Sequence, residues 1–276
     1  MTLQKVLSRV RQAVADYHMI EEGDRIAVGI SGGKDSLTLL LALYELSKFY
    51  PKHFTVIAVT VNLGFQNLNL NEIRTLCADR NIPYTVVETS IAQIVFEDRK
   101  EDNPCSLCAK MRKGALNDAI KELGCNKIAL GHHFDDVIET ILMGILYGGQ
   151  INTMMPKLHS TNFQGMELIR PLYYVKEEDI LAWKDYNSLH FLQCACRFTE
   201  RIAKEQAARG MAGEAADIVH TSKRQEMKEL IRSLRKTSPF IDANIMKSVE
   251  NINLDACLGY VKDGVRRHFM DEYDER

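Results

Sequence analysis

Tryptophan occurs once and proline six times in this 276-residue chain, and neither repeats nor low-complexity tracts interrupt it. Composition therefore excludes collagen-like, proline-rich and disordered classes; 46% of residues are hydrophobic and 26% charged, as in an ordinary globular protein. No long apolar run is present. The richest falls within Leu37 to Leu46, far short of the ~20 residues of a membrane span, so no membrane association is expected. The first twenty residues, MTLQKVLSRVRQAVADYHMI, space their apolar side chains as in a helix and lack a continuous apolar core. They are expected not to act as a secretory signal, which points to the cytoplasm. An excess of positive charge is also missing: the formal net charge is −2, which argues against broad affinity for nucleic acid. The seven cysteines, Cys77, Cys105, Cys108, Cys125, Cys194, Cys196 and Cys257, lack the even spacing of a disulfide framework. In a reducing compartment their close pairs read as metal ligands or redox groups.

What is present is a regular alternation. DRIAVGIS ends a short apolar run at glycines, Asp35 to Phe49 has helical periodicity, HFTVIAVTV is rich in β-branched residues, and Asn71 to Arg80 is helical again. PYTVVET and NKIALG continue as strands, with helices expected over Ala109 to Leu123, closed by Gly124, and over Asp135 to Tyr147. Four strand signals separated by helices predict an α/β protein with a Rossmann-like parallel sheet. Beyond Pro171 the pattern turns helical, with Glu177 to Ser188 and a charged segment from Asp217 to Lys236, and predicts a helical C-terminal extension. The expected organisation is an N-terminal helix over residues 1–22, a nucleotide-binding domain over 23–196 and a helical region over 197–276.

Between the first strand and its helix stands GISGGKDS. Glycines at 29, 32 and 33 let backbone N–H groups approach an anion, the helix N-terminus adds partial positive charge, Lys34 adds a mobile cation, and Ser31 and Ser36 add hydroxyls. The loop reads as a phosphate site. It is not the Walker A loop, because Val28 stands where its first glycine belongs and Asp35 follows the lysine in place of Ser or Thr. The plainer alternative is a glycine turn onto a helix capped by Asp35 or Ser36.

Two further constellations carry chemistry. NPCSLCAKMRKGAL puts Cys105 and Cys108 in a C-x-x-C at a helix start, where the dipole favours thiolates. By spacing alone the pair suits zinc, dithiol redox chemistry or an iron–sulfur cluster, and FLQCACRF supplies Cys194 and Cys196 downstream. GHHFDDVIET lies at the carboxyl end of a strand, where open α/β sheets bind ligands. Gly131 there can admit a nucleotide closely, with His132 and His133 packing on it. Asp135 and Asp136 can coordinate Mg2+ between phosphates or position a base, one of them alternatively capping the helix. Arg112, with Lys110 beside it, can balance charge near the cysteines or form a solvated basic face. Cys77, Cys125 and Cys257 read as small buried residues.

SGGKDS, Ser31 to Ser36, resembles the pyrophosphate loop of the PP-loop ATP pyrophosphatases, which adenylate a carbonyl oxygen and release pyrophosphate. With CSLCAKMRKGAL, KIALGHHFDDVIETILMGILYGG, MPKL and IRPLYYVKEEDI, the chain resembles from about Asp24 to Cys196 the TtcA branch of tRNA thiolation enzymes, the 2-thiocytidine synthetases. The resemblance implies ATP held by Ser31, Gly32, Gly33, Lys34, Asp35, Ser36, Gly131 and His132, with Lys34, Asp135, Asp136 and Arg112 acting in catalysis. It implies a non-redox [4Fe-4S] cluster on Cys105, Cys108 and Cys194, with Cys196 as the alternative third ligand, because Cys-Ala-Cys stands where better-known members have a second C-x-x-C. It further implies a tRNA substrate, a sulfur donor such as a cysteine desulfurase or free sulfide, and a homodimer, for which the amphipathic N-terminal helix offers a surface unless it packs on its own sheet. TSKRQEMKELIRSLRK and VKDGVRRH are locally basic and form either an RNA-facing surface or a solvated one. Removal of sulfur from thiolated bases, and a zinc-stabilised binding protein without catalysis, are the competing readings.

Overall fold

The computed structural model describes residues 3–64, 70–99, 104–161, 163–186 and 223–275. Helix α1 (Leu3–Asp16) precedes β1 (Asp24–Gly29), α2 (Lys34–Ser47), β2 (Phe54–Asn62), α3 (Asn71–Ala78) and β3 (Tyr84–Glu88). A short helix α4 (Ile91–Gln93) leads to α5 (Pro104–Glu122), β4 (Lys127–Ala129), α6 (Phe134–Gly148), β5 (Lys157–His159), β6 (Glu167–Ile169) and α7 (Glu177–Tyr186). The expected alternation is present, with one shift: α5 begins at Pro104 and so includes both cysteines of the C-x-x-C. Proline is favoured in the first helical turn because its missing N–H would have no partner there. Gly124, at φ 65°, then turns the chain out of α5, and the Cys125 N–H donates to the Ile120 carbonyl at 3.0 Å.

Six strands form one sheet in the order β3-β2-β1-β4-β6-β5, all parallel except β5, which pairs antiparallel with β6. The Rossmann-like parallel sheet is thus observed. From β1 the chain passes through α2 to β2 on one side, and from β3 it returns through α5 to β4 on the other. Right-handed crossovers running in opposite directions place α2 and α5 on opposite faces. Under α5, Ile120 and Leu116 pack with Ala27, Ile57, Val59 and Ile128. On the α2 side the helix contacts β1, β2, α1 and α7, which explains why its sequence is apolar almost all round: Leu39, Leu40, Leu43 and Leu46 are fully buried. Helix α1 contacts α2 and α7 and buries Val6, Val10, Ala13 and Val14. Its apolar face packs within its own fold, the alternative to a dimer surface.

Two compact units are resolved: Met1–Val137 with Met155–His220, and Ile138–Met154 with Thr221–Arg276. In the second, α8 (Lys223–Thr237) buries Met227 and Ile231, and α9 (Ile241–Glu250) buries Ile245 and Met246. Arg235 Nε donates to Asp242 Oδ1 at 2.8 Å. Buried Glu139 lies 3.7 Å from Arg224 and 3.9 Å from Lys228. The extension is not helical to its end: β7 (Gly259–Lys262) and β8 (Val265–His268) form an antiparallel hairpin around Asp263 and Gly264.

At the amino edge of the large sheet a lysine is buried in a strand. Lys127 Nζ donates to Glu167 Oε2 at 2.6 Å and to the Met19 carbonyl at 3.0 Å, and lies 3.1 Å from Asp24 Oδ2. Burial alone would raise the Glu167 carboxyl, but its hydrogen bond to Lys127 and the charges of Lys127 and Lys157 outweigh that and lower its pKa. Glu167 therefore contributes stability above its ordinary value of 4.5, and the contribution is lost as pH falls through the lowered folded value. Lys127→Met removes the cation that Asp24 and Glu167 share, leaving Glu167 only Lys157 at 3.3 Å, and is expected to cost about 3 kcal/mol at neutral pH. Urea titrations of wild type and variant should show this deficit shrinking as pH falls below about 4.5, where wild type loses what Glu167 contributes.

Candidate functional site

Strand β1 stays in the sheet one residue past its end, the Ile30 N–H donating to the Val59 carbonyl at 2.8 Å. The chain then turns through Gly32, at φ 83°, a conformation that side chains disfavour. Buried Ser36 shapes the turn from within: its Oγ accepts from the Ser31 N–H at 3.3 Å, donates to the Gly33 carbonyl at 3.0 Å and lies 3.2 Å from Ser31 Oγ. Gly33 occupies the N-cap of α2 with no side-chain cap, so the first-turn amides keep their capacity for an external anion. Asp35 and Ser36 thus do not replace the phosphate site with a cap.

Lys34 stands at the mouth of this cradle. Its Nζ lies 2.8 Å from Asp35 Oδ1 and 3.1 Å from Glu177 Oε1. Burial by itself would lower the ammonium pKa, but hydrogen bonds and Coulombic attraction from Asp35 and Glu177 prevail and raise it above 10.5. Lys34 is consequently a full cation at every physiological pH.

The segment after β4 meets the loop directly. A Cβ on Gly131 would stand 3.1 Å from the Asp35 carbonyl carbon, 3.2 Å from its oxygen and 3.2 Å from Ser36 N. The bare Cα at 131 is what lets the first turn of α2 lie against this strand end. Beyond it, Asp136 Oδ2 accepts the His133 N–H at 3.0 Å, the reach-back of a third-position acid to the N-cap of α6. Asp135 Oδ2 instead accepts the Glu177 N–H at 2.7 Å, and the Phe134 N–H donates to the Val175 carbonyl at 2.9 Å. These bonds fasten the start of α6 to the start of α7. His133 is buried among carboxylates, with Nε2 3.6 Å from Asp136 Oδ2 and 3.9 Å from Asp35 Oδ1; His132 is half-buried.

Helix α5 joins the carboxyl end of β3 to the amino end of β4, so its first turn lies at the same sheet edge as the loop. Cys108 is half-buried there, and Cys105 precedes it by three residues in the same helix. Two cysteines one turn apart at a helix N-terminus, where the dipole favours thiolate, fit two ligand positions of an iron–sulfur cluster. Cys194 and Cys196 lie outside the described residues, and no set of three or more potential metal ligands occurs among the described ones. Arg112, four residues past Cys108, is exposed, as is Lys110. Cys77 and Cys125 are buried; burial pushes the Cys77 thiol up to about 11, partly offset by Arg80. Neither has thiolate character at neutral pH.

Residues 2–204 match the model of the PP-loop domain family. The chain belongs to the PP-loop family. It is 35% identical over 250 residues to a tRNA-cytidine(32) 2-sulfurtransferase of Geotalea uraniireducens, covering 90% of this chain and 91% of that one. A second such enzyme, from Pelobacter propionicus, is 36% identical over 245 residues, or 88% of this chain and 84% of its own. Among solved structures, the U34-tRNA thiolase NcsA of Methanococcus maripaludis with its [4Fe-4S] cluster superposes with a TM-score of 0.66 at 22% identity, over 91% of this chain and 79% of that one. At that identity the likeness speaks for the fold.

In this PP-loop protein Ser31 to Ser36, Gly131, Asp135 and Asp136 come together at one strand crevice. Glu177, which holds both Lys34 and Asp135, was not anticipated. Its only signal in sequence is the acidic run Glu177, Glu178, Asp179 opening a helix, which reads equally well as a response to the helix dipole.

Gly131→Ala forces backbone against backbone and is expected to cost about 1–3 kcal/mol of stability. It should also raise the ATP requirement for pyrophosphate release by at least about tenfold, the shift expected for a cradle displaced by a few tenths of an ångström. The Lys34 ion pairs contribute stability in full below pH 10.5 that is lost as pH rises through the raised folded value. ATP binding followed by calorimetry from about pH 6.5 to about pH 9 should accordingly show no titration attributable to Lys34.

Proposed function

We propose that this PP-loop protein is an ATP-dependent sulfurtransferase that adenylates the 2-carbonyl oxygen of a cytidine in tRNA and replaces that oxygen with sulfur. The observation that carries the reading is the meeting of the Ser31–Ser36 cradle, Lys34 and the Gly131–Asp136 segment at the strand crevice, in a chain 35% identical to a named tRNA-cytidine 2-sulfurtransferase.

The first-turn amides of α2 and the hydroxyls of Ser31 and Ser36 receive the ATP phosphates. Lys34 exchanges its carboxylate partners for phosphate oxygens and offsets the charge that grows on pyrophosphate as the base oxygen attacks the α-phosphorus. Asp135 and Asp136 are the carboxylates that would hold Mg2+, the former by giving up the Glu177 N–H and the latter its helix cap. Gly131 and His132 border the nucleotide. Sulfide, taken from solution or released by a reducing thiol from the persulfide of a cysteine desulfurase, adds at the activated carbon, the carbon–oxygen bond breaks, and AMP leaves with the former carbonyl oxygen. Cys105, Cys108 and Cys194, with Cys196 as the alternative ligand, would hold a [4Fe-4S] cluster, which would supply Lewis-acidic iron for sulfide without a redox change. Arg112 lends positive charge to the cysteine end of α5.

The working division is residues 1–22 as an N-terminal helix, 23–196 as the domain carrying nucleotide and cluster, and 197–276 as a C-terminal region. No described helix is long and apolar enough to cross a membrane. A cytoplasmic location is part of the proposal, and a homodimer is compatible with its family.

Anaerobic purification of wild type and of the Cys105, Cys108, Cys194 and Cys196 alanine variants tests the reading. Wild type should carry about four irons per chain and convert cytidine to 2-thiocytidine in tRNA with ATP, as read by nucleoside mass spectrometry. Iron should be lost in Cys105→Ala, in Cys108→Ala and in one of the other two. A colourless protein holding one zinc would contradict it.

A further inference from the structure

The C-terminal hairpin concentrates charge of one sign. Across β7 and β8 the partners are Gly259 with His268, Tyr260 with Arg267, Val261 with Arg266, and Lys262 with Val265. Strand alternation sends Lys262 and Arg267 to one face with Tyr260, and Arg266 and His268 to the other. Every residue from Val261 to His268 is exposed. The ribbon from Gly259 to His268 bears three Lys and Arg residues against one acid, Asp263, in a chain whose net charge is −2.

Helix α8, the other basic segment, differs in kind. Arg224 and Lys228 face buried Glu139, Lys223 lies 3.7 Å from Glu226, and Arg235 is bonded to Asp242. Most of its cations are engaged by carboxylates of their own unit. Lys262 and Arg266 have no ion-pair partner among the described residues. Holding like charges on a short ribbon, with both faces in water, is a local cost that a polyanion relieves. Edge-to-edge pairing with a second copy would bring the same cations against one another, so the charge pattern disfavours self-association.

We propose that the Gly259–His268 ribbon binds the sugar-phosphate backbone of the RNA substrate through Lys262 and Arg266, on opposite faces of the hairpin, and so helps to hold the tRNA. The inference rests on the tRNA reading of the crevice. Contacts of this type position a nucleic acid without reading its sequence, and they release counterions, so they appear in the salt dependence of binding.

The test uses full-length, cluster-loaded wild type and Lys262→Ala/Arg266→Ala, with unmodified tRNA titrated at several salt concentrations. Losing two phosphate contacts should weaken binding about tenfold at low salt and reduce the slope of log affinity against log salt by about 1.5. The melting temperature, the iron content and the oligomeric mass should be unchanged. Equal affinity and slope in wild type and variant would overturn the ribbon's role while leaving the tRNA reading intact, as would a change of oligomeric mass in the variant. Wild type that fails to bind tRNA at any salt would sink the substrate reading and the ribbon's role with it. Poly-glutamate as a competitor separates RNA from an acidic protein segment: displacement of tRNA at equal charge concentration would count against the proposal.

Discussion

Strands β1 and β4 lie side by side with Val28 opposite Ala129, and the chain leaves β1 through α2 on one face of the sheet and reaches β4 through α5 on the other. That reversal opens a crevice at their carboxyl ends, where open α/β sheets bind their ligands. The crevice is narrow because Gly131 presents no side chain to the backbone of Asp35 and Ser36. A methyl group there would push α2 away from β4 and carry Lys34 with it. The rest of the site is arranged around this contact: Asp136 caps α6 just beyond it, Asp135 fastens α7 to α6, and Glu177 returns from α7 to Lys34.

The resulting electrostatics are those of a site at rest. One lysine is shared between two carboxylates, with Asp135 and Asp136 close behind. Each partner stabilises the cation while keeping it aimed across the mouth of the loop, and a triphosphate competes for it with more charge than either carboxylate. A nucleotide entering so acidic a surrounding needs compensating positive charge, which is the physical argument for a divalent cation in the reaction. The first turn of α5, with Cys108, lies at the same edge of the sheet.

Much of this was legible in the sequence. The SGGKDS loop, the C-x-x-C and GHHFDDVIET each stand at a junction of strand and helix, and the apolar periodicity on either side fixes those junctions. Three-residue strands such as β5 and β6 are too short to show any periodicity, so the sheet's extension beyond β4 could not be read. The hairpin at the end of the chain reads first as basic residues, although its Asp263-Gly264 pair, with Val261 and Val265 on either side, is a hairpin signal. Glu177 and the buried trio of Asp24, Lys127 and Glu167 escaped for another reason. Their partners are distant in sequence, and a charge in a strand or at a helix start looks solvated until the fold brings its counter-charge to it.

The central claim is chemical: ATP held at this crevice activates the base by taking its carbonyl oxygen onto phosphorus. A tRNA prepared with heavy oxygen at the target carbonyl, thiolated by the cluster-loaded enzyme in ordinary water, tests it most directly by mass analysis of the released AMP. The account predicts one heavy oxygen in AMP for each sulfur installed. Unlabelled AMP accompanying full thiolation would show that the carbonyl oxygen leaves by another route and would contradict the account.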